Sequence, residues 1–340
     1  MVHKHNYRVI LFVFFICLLS ITIILPAFAQ EATKDGEMIL ILPGEIRDMN
    51  WNQTNFTAFS KVSENIGIKC NYMENVPVNQ LEEIVKRSSD QGMKLIIIAG
   101  SQYSKVVDNI ASDFPEIHFC IINGELESDD RNVTSIIIRE YEASFLAGII
   151  AGFLTDSGKI GLAGGESNNL MIMVMNAFES GSRVGSPNVK PIRTYIHSWK
   201  DVELGRQIAS SMIDKGADIL FFYANTISSA IITEAEKENV RCIGFTYDQN
   251  NISPDTVIAS VYYDLSPLYS YIIEGFSKEE LVSGNSGFGL TEGIFAISYG
   301  SGIPDHIRQI VSDAEDSILR GQVIEFLANF PEGLNNRETE

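Results

Sequence analysis

Basic residues are scarce in this 340-residue chain: 25 lysines and arginines stand against 44 aspartates and glutamates, a formal net charge of −19. Neutralising nucleic-acid phosphates needs clustered cations, so the imbalance excludes a general nucleic-acid binder. Histidine is sparse too, with five residues, and His3 and His5 fall in the first few positions, which leaves little for metal ligation. Four cysteines occur, and those beyond the N-terminal apolar run (Cys70, Cys120, Cys242) are odd in number and lack C-x-x-C spacing. That excludes a disulfide framework or a cysteine metal site. Each sits in an apolar, strand-like run (IKCNY, IHFCII, RCIGF), as buried free thiols do. Low-complexity tracts are absent, and so are G-x-S-x-G, H-E-x-x-H and P-loop motifs. GLAGG at 161–165 is not a dinucleotide fingerprint. No enzyme, metal or cofactor is expected. Tryptophan occurs only twice, as Trp51 and Trp199.

What is present begins with a targeting segment. Lys4 and Arg8 precede an apolar run from Val9 to Leu25, and Ala27-Phe28-Ala29 supplies an A-x-A cleavage site. Residues 1–29 therefore read as a signal peptide. Cys17 follows Ile16, where a lipobox needs a small residue, which argues against lipidation. The run nearly spans a bilayer, so an uncleaved anchor is the alternative. Either way the rest of the chain is expected outside the cytoplasm, either periplasmic, secreted or held at the cell surface.

After Glu37, apolar runs alternate with amphipathic segments. Strands are expected at 38–43, 68–73, 94–100, 117–123 and 132–138, with helices at 51–66, 79–91 and 103–112. A second block follows: helices at 141–155, 170–184, 201–215 and 228–239, with strands at 159–165, 191–197, 218–224 and 241–248. Continuous apolar runs suit parallel strands covered on both faces. Two such blocks predict an α/β protein of two doubly wound three-layer lobes. In the helix at 141–155, Ala147/Ala151 and Gly148/Gly152 are spaced to let it lie close to a sheet. The tail reads as strand 257–264, helix 265–284, one strand over 287–300 and helix 304–325. The first lobe is expected to comprise 30–140 with 249–285 and the second 141–248 with 286–325, followed by a polar tail at 326–340. Hinge crossings then fall near 139–142, 246–250 and 285–290, with ligand at the carboxyl ends of strands.

The first strand-to-helix junction, Arg47-Asp48-Met49-Asn50-Trp51-Asn52, is the densest polar and aromatic cluster at such an end. A carboxylate accepts sugar hydroxyls, an amide pairs with a heterocycle edge, and an indole offers a stacking face. Helix capping by Asp48 or Asn50, with Trp51 in the core, is the competing reading. Later strand ends carry Gly100-Ser101-Gln102-Tyr103, Asn123, His197-Ser198-Trp199-Lys200-Asp201, Ala224-Asn225 and Gly244-Phe245-Thr246-Tyr247-Asp248-Gln249.

These junctions, with EYEASFLAGIIAGFLTDSGKIGLAGG at 140–165, resemble the basic-membrane-protein family over residues 38–320. Its members are solute receptors of ABC transporters, the purine-nucleoside receptors among them. The resemblance implies a hinged fold like that of type I periplasmic binding proteins, a nucleoside-like small-molecule ligand and a permease partner. Membrane contact would come only through the leader or permease docking. Asp48 and Asn52 match a family Asp-x-Ser-Phe-Asn motif, with Asn50 and Trp51 substituted. Ser101 and Tyr103 fall in a Gly-x-x-aromatic turn, and Trp199 in a second aromatic turn. Asp248 matches, while Asn123 and Thr246 replace aspartates, Tyr263 replaces a lysine, and Asn225 lies in a turn stripped of its glycines. By resemblance, Asp48 and Asn52 orient the ligand, Trp51 and Trp199 stack it, and Tyr103, Asn123, Asn225 and Thr246 trim the pocket. Asn50, Ser101 and Asp248 complete the expected set, and Trp51→Ala is expected to abolish binding with the fold intact. A Med-like branch with similar changes implies an alternative: a surface regulator acting through a protein partner.

Overall fold

The computed structural model describes residues 37–323 apart from 49, 125 and 127–131. The expected leader and the tail at 326–340 lie outside the described residues. Strands β1 (Met38–Ile41), β2 (Tyr72–Met73), β3 (Leu95–Ala99), β4 (His118–Ile122), β5 (Val133–Ile138) and β11 (Gly284–Phe288) form a parallel sheet in the order β11-β5-β4-β3-β1-β2. The second sheet has the order β12-β10-β9-β8-β6-β7. It is built from β6 (Lys159–Gly164), β7 (Lys190–Tyr195), β8 (Ile219–Tyr223), β9 (Arg241–Thr246), β10 (Val257–Tyr263) and β12 (Phe295–Tyr299). Only β12 runs antiparallel to its neighbour.

The apolar runs explain the layers. Successive strand residues face opposite sides of a sheet. Leu40, Ile97 and Ile122 therefore pack on one face of the first sheet, and Ile41, Ile96 and Ile121 on the other. In the second sheet, Leu162 and Phe221 face one way while Leu220 and Phe222 face the other. Helices cover both faces of each lobe: α1 (Trp51–Asn65), α2 (Leu81–Asp90), α3 (Ser104–Ile110), α4 (Glu140–Leu154), α5 (Asn169–Gly185), α6 (Val202–Asp214), α7 (Ser228–Lys237), α8 (Ser266–Ser277) and α9 (Asp305–Leu319). Phe59 of α1, Leu146 of α4, Phe178 of α5, Leu268 of α8 and Ile307 of α9 belong to one continuous apolar cluster that runs from lobe to lobe. Cys120 and Cys242 are buried, Cys70 is partly buried, and all three are free. Among the described residues no helix is long and apolar enough to cross a membrane.

Three expectations need correction. Residues 257–263, expected in the first lobe, form β10 of the second sheet, parallel to β9. The turns at 247–256 carry no helix pattern and read as a crossing, but they fold straight back into the same sheet. The apolar stretch 287–300 is also not one strand. Its first two residues end β11, which pairs with β5 in the first sheet, and beyond the turn Gly289–Gly293 the rest carries β12, which pairs with β10 in the second. The chain therefore crosses between lobes at 139–140, after Tyr263, and at 289–294. Finally, the glycines of α4 face a helix rather than a sheet. A Cβ on Gly148 would lie 2.1 Å from the Phe178 carbonyl oxygen, and one on Gly152 2.0 Å from that of Ser182. Gly181 of α5 meets the Phe145 carbonyl oxygen in the same way, so the two backbones are in direct contact.

Candidate functional site

The carboxyl ends of both sheets face a cavity of about 680 Å³ between the lobes, a size suited to a drug-sized ligand. The first lobe contributes Asp48, Trp51 and Asn52 after β1, Asn75 after β2, Ser101 and Gln102 after β3, and Asn123 after β4. The second contributes Glu166, Asn168 and Met171 after β6, Trp199 and Lys200 after β7, and Tyr223, Asn225 and Thr226 at the end of β8.

Asp48 acts mainly as a cap. Its Oδ1 accepts from the backbone N–H of Asn50 (2.9 Å) and Gln53 (3.0 Å), and its Oδ2 from the N–H of Asn52 (3.1 Å) and from Asn52 Nδ2 (2.7 Å). The carboxylate thus satisfies the open N–H groups that begin α1. Asn52 is locked in turn, since its Oδ1 accepts from Gly44 N at 3.0 Å. Trp51 is 8% exposed and donates its Nε1–H to the Ala99 carbonyl at 3.1 Å, so it presents to the cavity only the ring. The junction therefore caps the helix and also lines the cavity.

On the opposite wall Trp199 is half-buried. Its ring lies on Gly165, where a Cβ would come within 2.2 Å of the indole, and Thr226 Oγ1 donates to its carbonyl at 2.8 Å. Each tryptophan meets a tyrosine, Tyr223 lining the cavity and Tyr263 lying off it. Trp51 meets Tyr263 edge-on at 6.2 Å, and Trp199 meets Tyr223 edge-on at 6.1 Å. The two phenol oxygens are 3.3 Å apart, and both phenols donate to Glu140 Oε1, Tyr263 at 2.6 Å and Tyr223 at 3.1 Å. Asn123 Nδ2 donates to the same oxygen at 3.2 Å, and Asn123 Oδ1 accepts from Ile138 N at 2.9 Å. Glu140 is fully buried, and burial outweighs these donors, so its carboxyl is raised to about 7.

Backbone conformation also marks the site. Asn75, Asn123 and Asn225 line the cavity with φ of 55°, 58° and 44°, a left-handed region that asparagine tolerates better than most residues. Thr246 adopts φ 75°, which is unusual for a β-branched side chain. Strained residues of this kind cluster at ligand clamps.

Of the expected residues, Asp48, Trp51, Asn52, Ser101, Asn123, Trp199 and Asn225 are brought together here. Four are placed elsewhere. Tyr103 is fully buried in the outer core of the first lobe, where its hydroxyl donates to the Val76 carbonyl and burial pushes it up to about 12. The tight turn at Ser101–Tyr103 turns its first two residues to the cavity and the third away. Asn50 and Thr246 are buried and bonded to each other, Thr246 Oγ1 donating to Asn50 Oδ1 across the lobes. Asp248 accepts from Asn250 N in a local turn. Sequence reasoning passed over Tyr223, Gln102, Asn75, Thr226 and Glu140. Of these, Tyr223 and Asn75 carried a usable signal, because each sits at or just beyond a strand end.

Comparison with known proteins shows the family and the fold. A family model described as ABC transporter substrate-binding protein PnrA-like matches residues 37–324. Basic membrane protein A1 of Borrelia garinii subsp. bavariensis is 26% identical, covering 84% of this chain and 86% of its own. A purine-binding protein of Brucella abortus is 25% identical, with coverages of 88% and 85%. The transcriptional activator protein Med of Bacillus subtilis is 22% identical, with coverages of 85% and 91%. Among solved structures, a transcriptional activator of the comK gene from Bacillus halodurans superposes with a TM-score of 0.74 at 18% identity, covering 84% of this chain and 98% of its own. A solute-binding protein of an ABC transporter system from Aeropyrum pernix K1 superposes at 0.73, also at 18% identity, with coverages of 84% and 91%.

Proposed function

This chain belongs to the family of PnrA-like ABC transporter substrate-binding proteins, and from that premise we propose that it is an extracytoplasmic receptor for a small ring-bearing metabolite of nucleoside type. The observation that carries the reading is the interlobe cavity, lined by an indole from each lobe and by Asn52, Asn123 and Asn225. Indole faces suit a flat heterocycle, and amides suit its hydrogen-bonding edge. The Brucella abortus relative, named as a purine-binding protein, points the same way. Residues 1–29 export the protein, and the lobes hinge about the three crossings. Solute shifts the equilibrium toward a closed form that a transporter permease reads. The test is a thermal-shift and calorimetric screen of purified protein against purine and pyrimidine nucleosides and their bases. A native-state ligand raises the melting temperature, and silence across the whole panel sinks the reading.

A second reading has its own support. Thr246 and Tyr263, where nucleoside receptors of the family carry charged contacts, are here spent on bonds to Asn50 and Glu140. A cleft altered in this way also suits a surface regulator that works through a protein partner, in line with the relative named as transcriptional activator Med. A silent nucleoside panel, together with a specific protein recovered by cross-linking on intact cells, favours this reading over the first.

A further inference from the structure

Hydrogen-bond accounting on the cavity floor leads beyond the shape of the pocket. Each phenol has a single hydrogen to give. Tyr263 directs its hydrogen to Glu140 Oε1 at 2.6 Å, and Tyr223, 3.1 Å from that oxygen and 3.3 Å from the Tyr263 oxygen, spends its hydrogen within the same triad. Tyr223 lines the cavity, and once its hydrogen is committed it can offer a guest only lone pairs. Beside it on the same wall, Asn225 Oδ1 is buried without a partner. The second carboxyl oxygen, Glu140 Oε2, is likewise buried and unpartnered. Of these two unpartnered oxygens, Asn225 Oδ1 belongs to a residue that lines the cavity and Glu140 Oε2 to one that does not. An unmet buried acceptor is costly, and a guest that meets it recovers that cost.

We infer that Glu140 is the positioning residue of the pocket: by taking the hydroxyl hydrogens of Tyr223 and Tyr263 it fixes Tyr223 as an acceptor, so that the second-lobe floor selects a solute through the solute's own N–H or O–H donors at Tyr223 and Asn225. This deepens the receptor reading and rests on it. Glu140 lies on the first lobe crossing and joins Asn123 of one lobe to Tyr223 and Tyr263 of the other. Ionised Glu140 binds the phenol hydrogens strongly, whereas the protonated acid is a weaker acceptor and frees Tyr223 to turn its hydrogen elsewhere.

The groups that act on Glu140 besides burial are Tyr263, Asn123 and Tyr223, and both phenols are themselves pushed well above their ordinary value. The adjacent Arg139 is engaged by Glu142 and Glu292, each at 2.5 Å. With Glu140 near 7 in the free protein, a solute that prefers its ionised form displaces a proton on binding. Affinity then falls as pH drops below 7.

Calorimetry tests this with whichever of adenosine, guanosine and inosine binds most tightly, from pH 5.5 to 8.5 and in two buffers of different ionisation enthalpy. Wild-type affinity should be roughly tenfold lower at pH 6 than at pH 7.5, with proton release on binding near pH 6.5. Glu140→Gln keeps a neutral acceptor of the same shape and should flatten the pH profile and abolish the release. Tyr263→Phe lies off the cavity and removes the shortest donor to Glu140, so it should move the midpoint to higher pH, and it serves even if Glu140→Gln fails to fold. Binding with the same pH profile in the wild type and in the variants overturns the inference and leaves the receptor reading standing. Absence of binding by these three overturns the inference, and silence across the whole nucleoside and base panel overturns the receptor reading as well.

Discussion

At the residue scale the two tryptophans are not equivalent, and the difference changes how the site should be probed. Trp51 packs in the core with its indole N–H bonded to Ala99. Trp51→Ala therefore opens a cavity and destabilises the fold by about 3–5 kcal/mol, so the expected loss of binding with an intact fold does not follow. Trp199 is half-buried and rests on bare backbone at Gly165. Trp199→Ala should weaken binding of a ring-bearing solute by roughly 10- to 100-fold, in line with stacking losses of about 1–3 kcal/mol, while moving the melting temperature little. Gly165→Ala should mimic it, because the new methyl occupies the place of the indole. Calorimetry on both variants checks the pair, and unchanged affinity in Trp199→Ala removes that wall from the site. Strand-end reasoning found Trp199 because it needs only local pattern. Glu140 was out of its reach: its phenol partners lie 83 and 123 positions away in the chain, and nothing near it announces them.

At the element scale the pair α4 and α5 is the most demanding contact. Gly148, Gly152 and Gly181 each face a backbone carbonyl at a distance that excludes any side chain, and Ser144 Oγ donates to the Val174 carbonyl at 2.8 Å across the same seam. Backbone cannot step aside as a flexible side chain can. Gly148→Ala should thus cost at least about 1–3 kcal/mol, the range for overpacking a dense core. Gly302→Ala, with open space around it, serves as the control. Urea denaturation of both should show a lowered midpoint for Gly148→Ala alone, and equal midpoints would mean the seam relaxes. The existence and type of elements was legible, because LIIIA and ILFFY are buried on both faces and declare parallel strands without help from context. Pairing was not. The stretch 287–300 reads as one strand until the turn at Gly289–Gly293 sends its two ends to different sheets. The α4 glycines show spacing, but spacing does not say whether a helix or a sheet approaches.

At the scale of the whole molecule, the lobes are tied at their crossings. Arg139 binds Glu142 and Glu292, Glu142 accepts from Leu290 N at 2.8 Å, and Glu292 accepts from Gly289 N at 2.6 Å, so the first and third crossings share one ionic knot. Two groups with opposed shifts, buried Glu140 and half-buried His118, then add opposite slopes to the pH dependence of stability. Glu140 is raised from 4.5 to about 7 by burial, so its contribution is complete below about 4.5 and is lost as pH rises through 7. His118, in β4 beside Thr134 Oγ1 at 2.8 Å, is lowered from 6.5 to about 4 by burial. It folds as the neutral ring, and its contribution is complete above about 6.5 and lost as pH falls toward 4. Between pH 4.5 and 6.5 the folded state holds an extra proton at one site and lacks one at the other, so the two slopes oppose, each up to roughly 1.4 kcal/mol per pH unit. Wild-type stability should therefore be nearly flat in that window. Glu140→Gln should unmask a rise in stability with pH, and His118→Gln a fall, both read from urea midpoints in steps from pH 4.5 to 7.5. Parallel curves for wild type and both variants would show that neither group titrates differently in the folded and unfolded chains. A free-protein Glu140 carboxyl near 7 would then be ruled out, and with it the pH profile expected for binding.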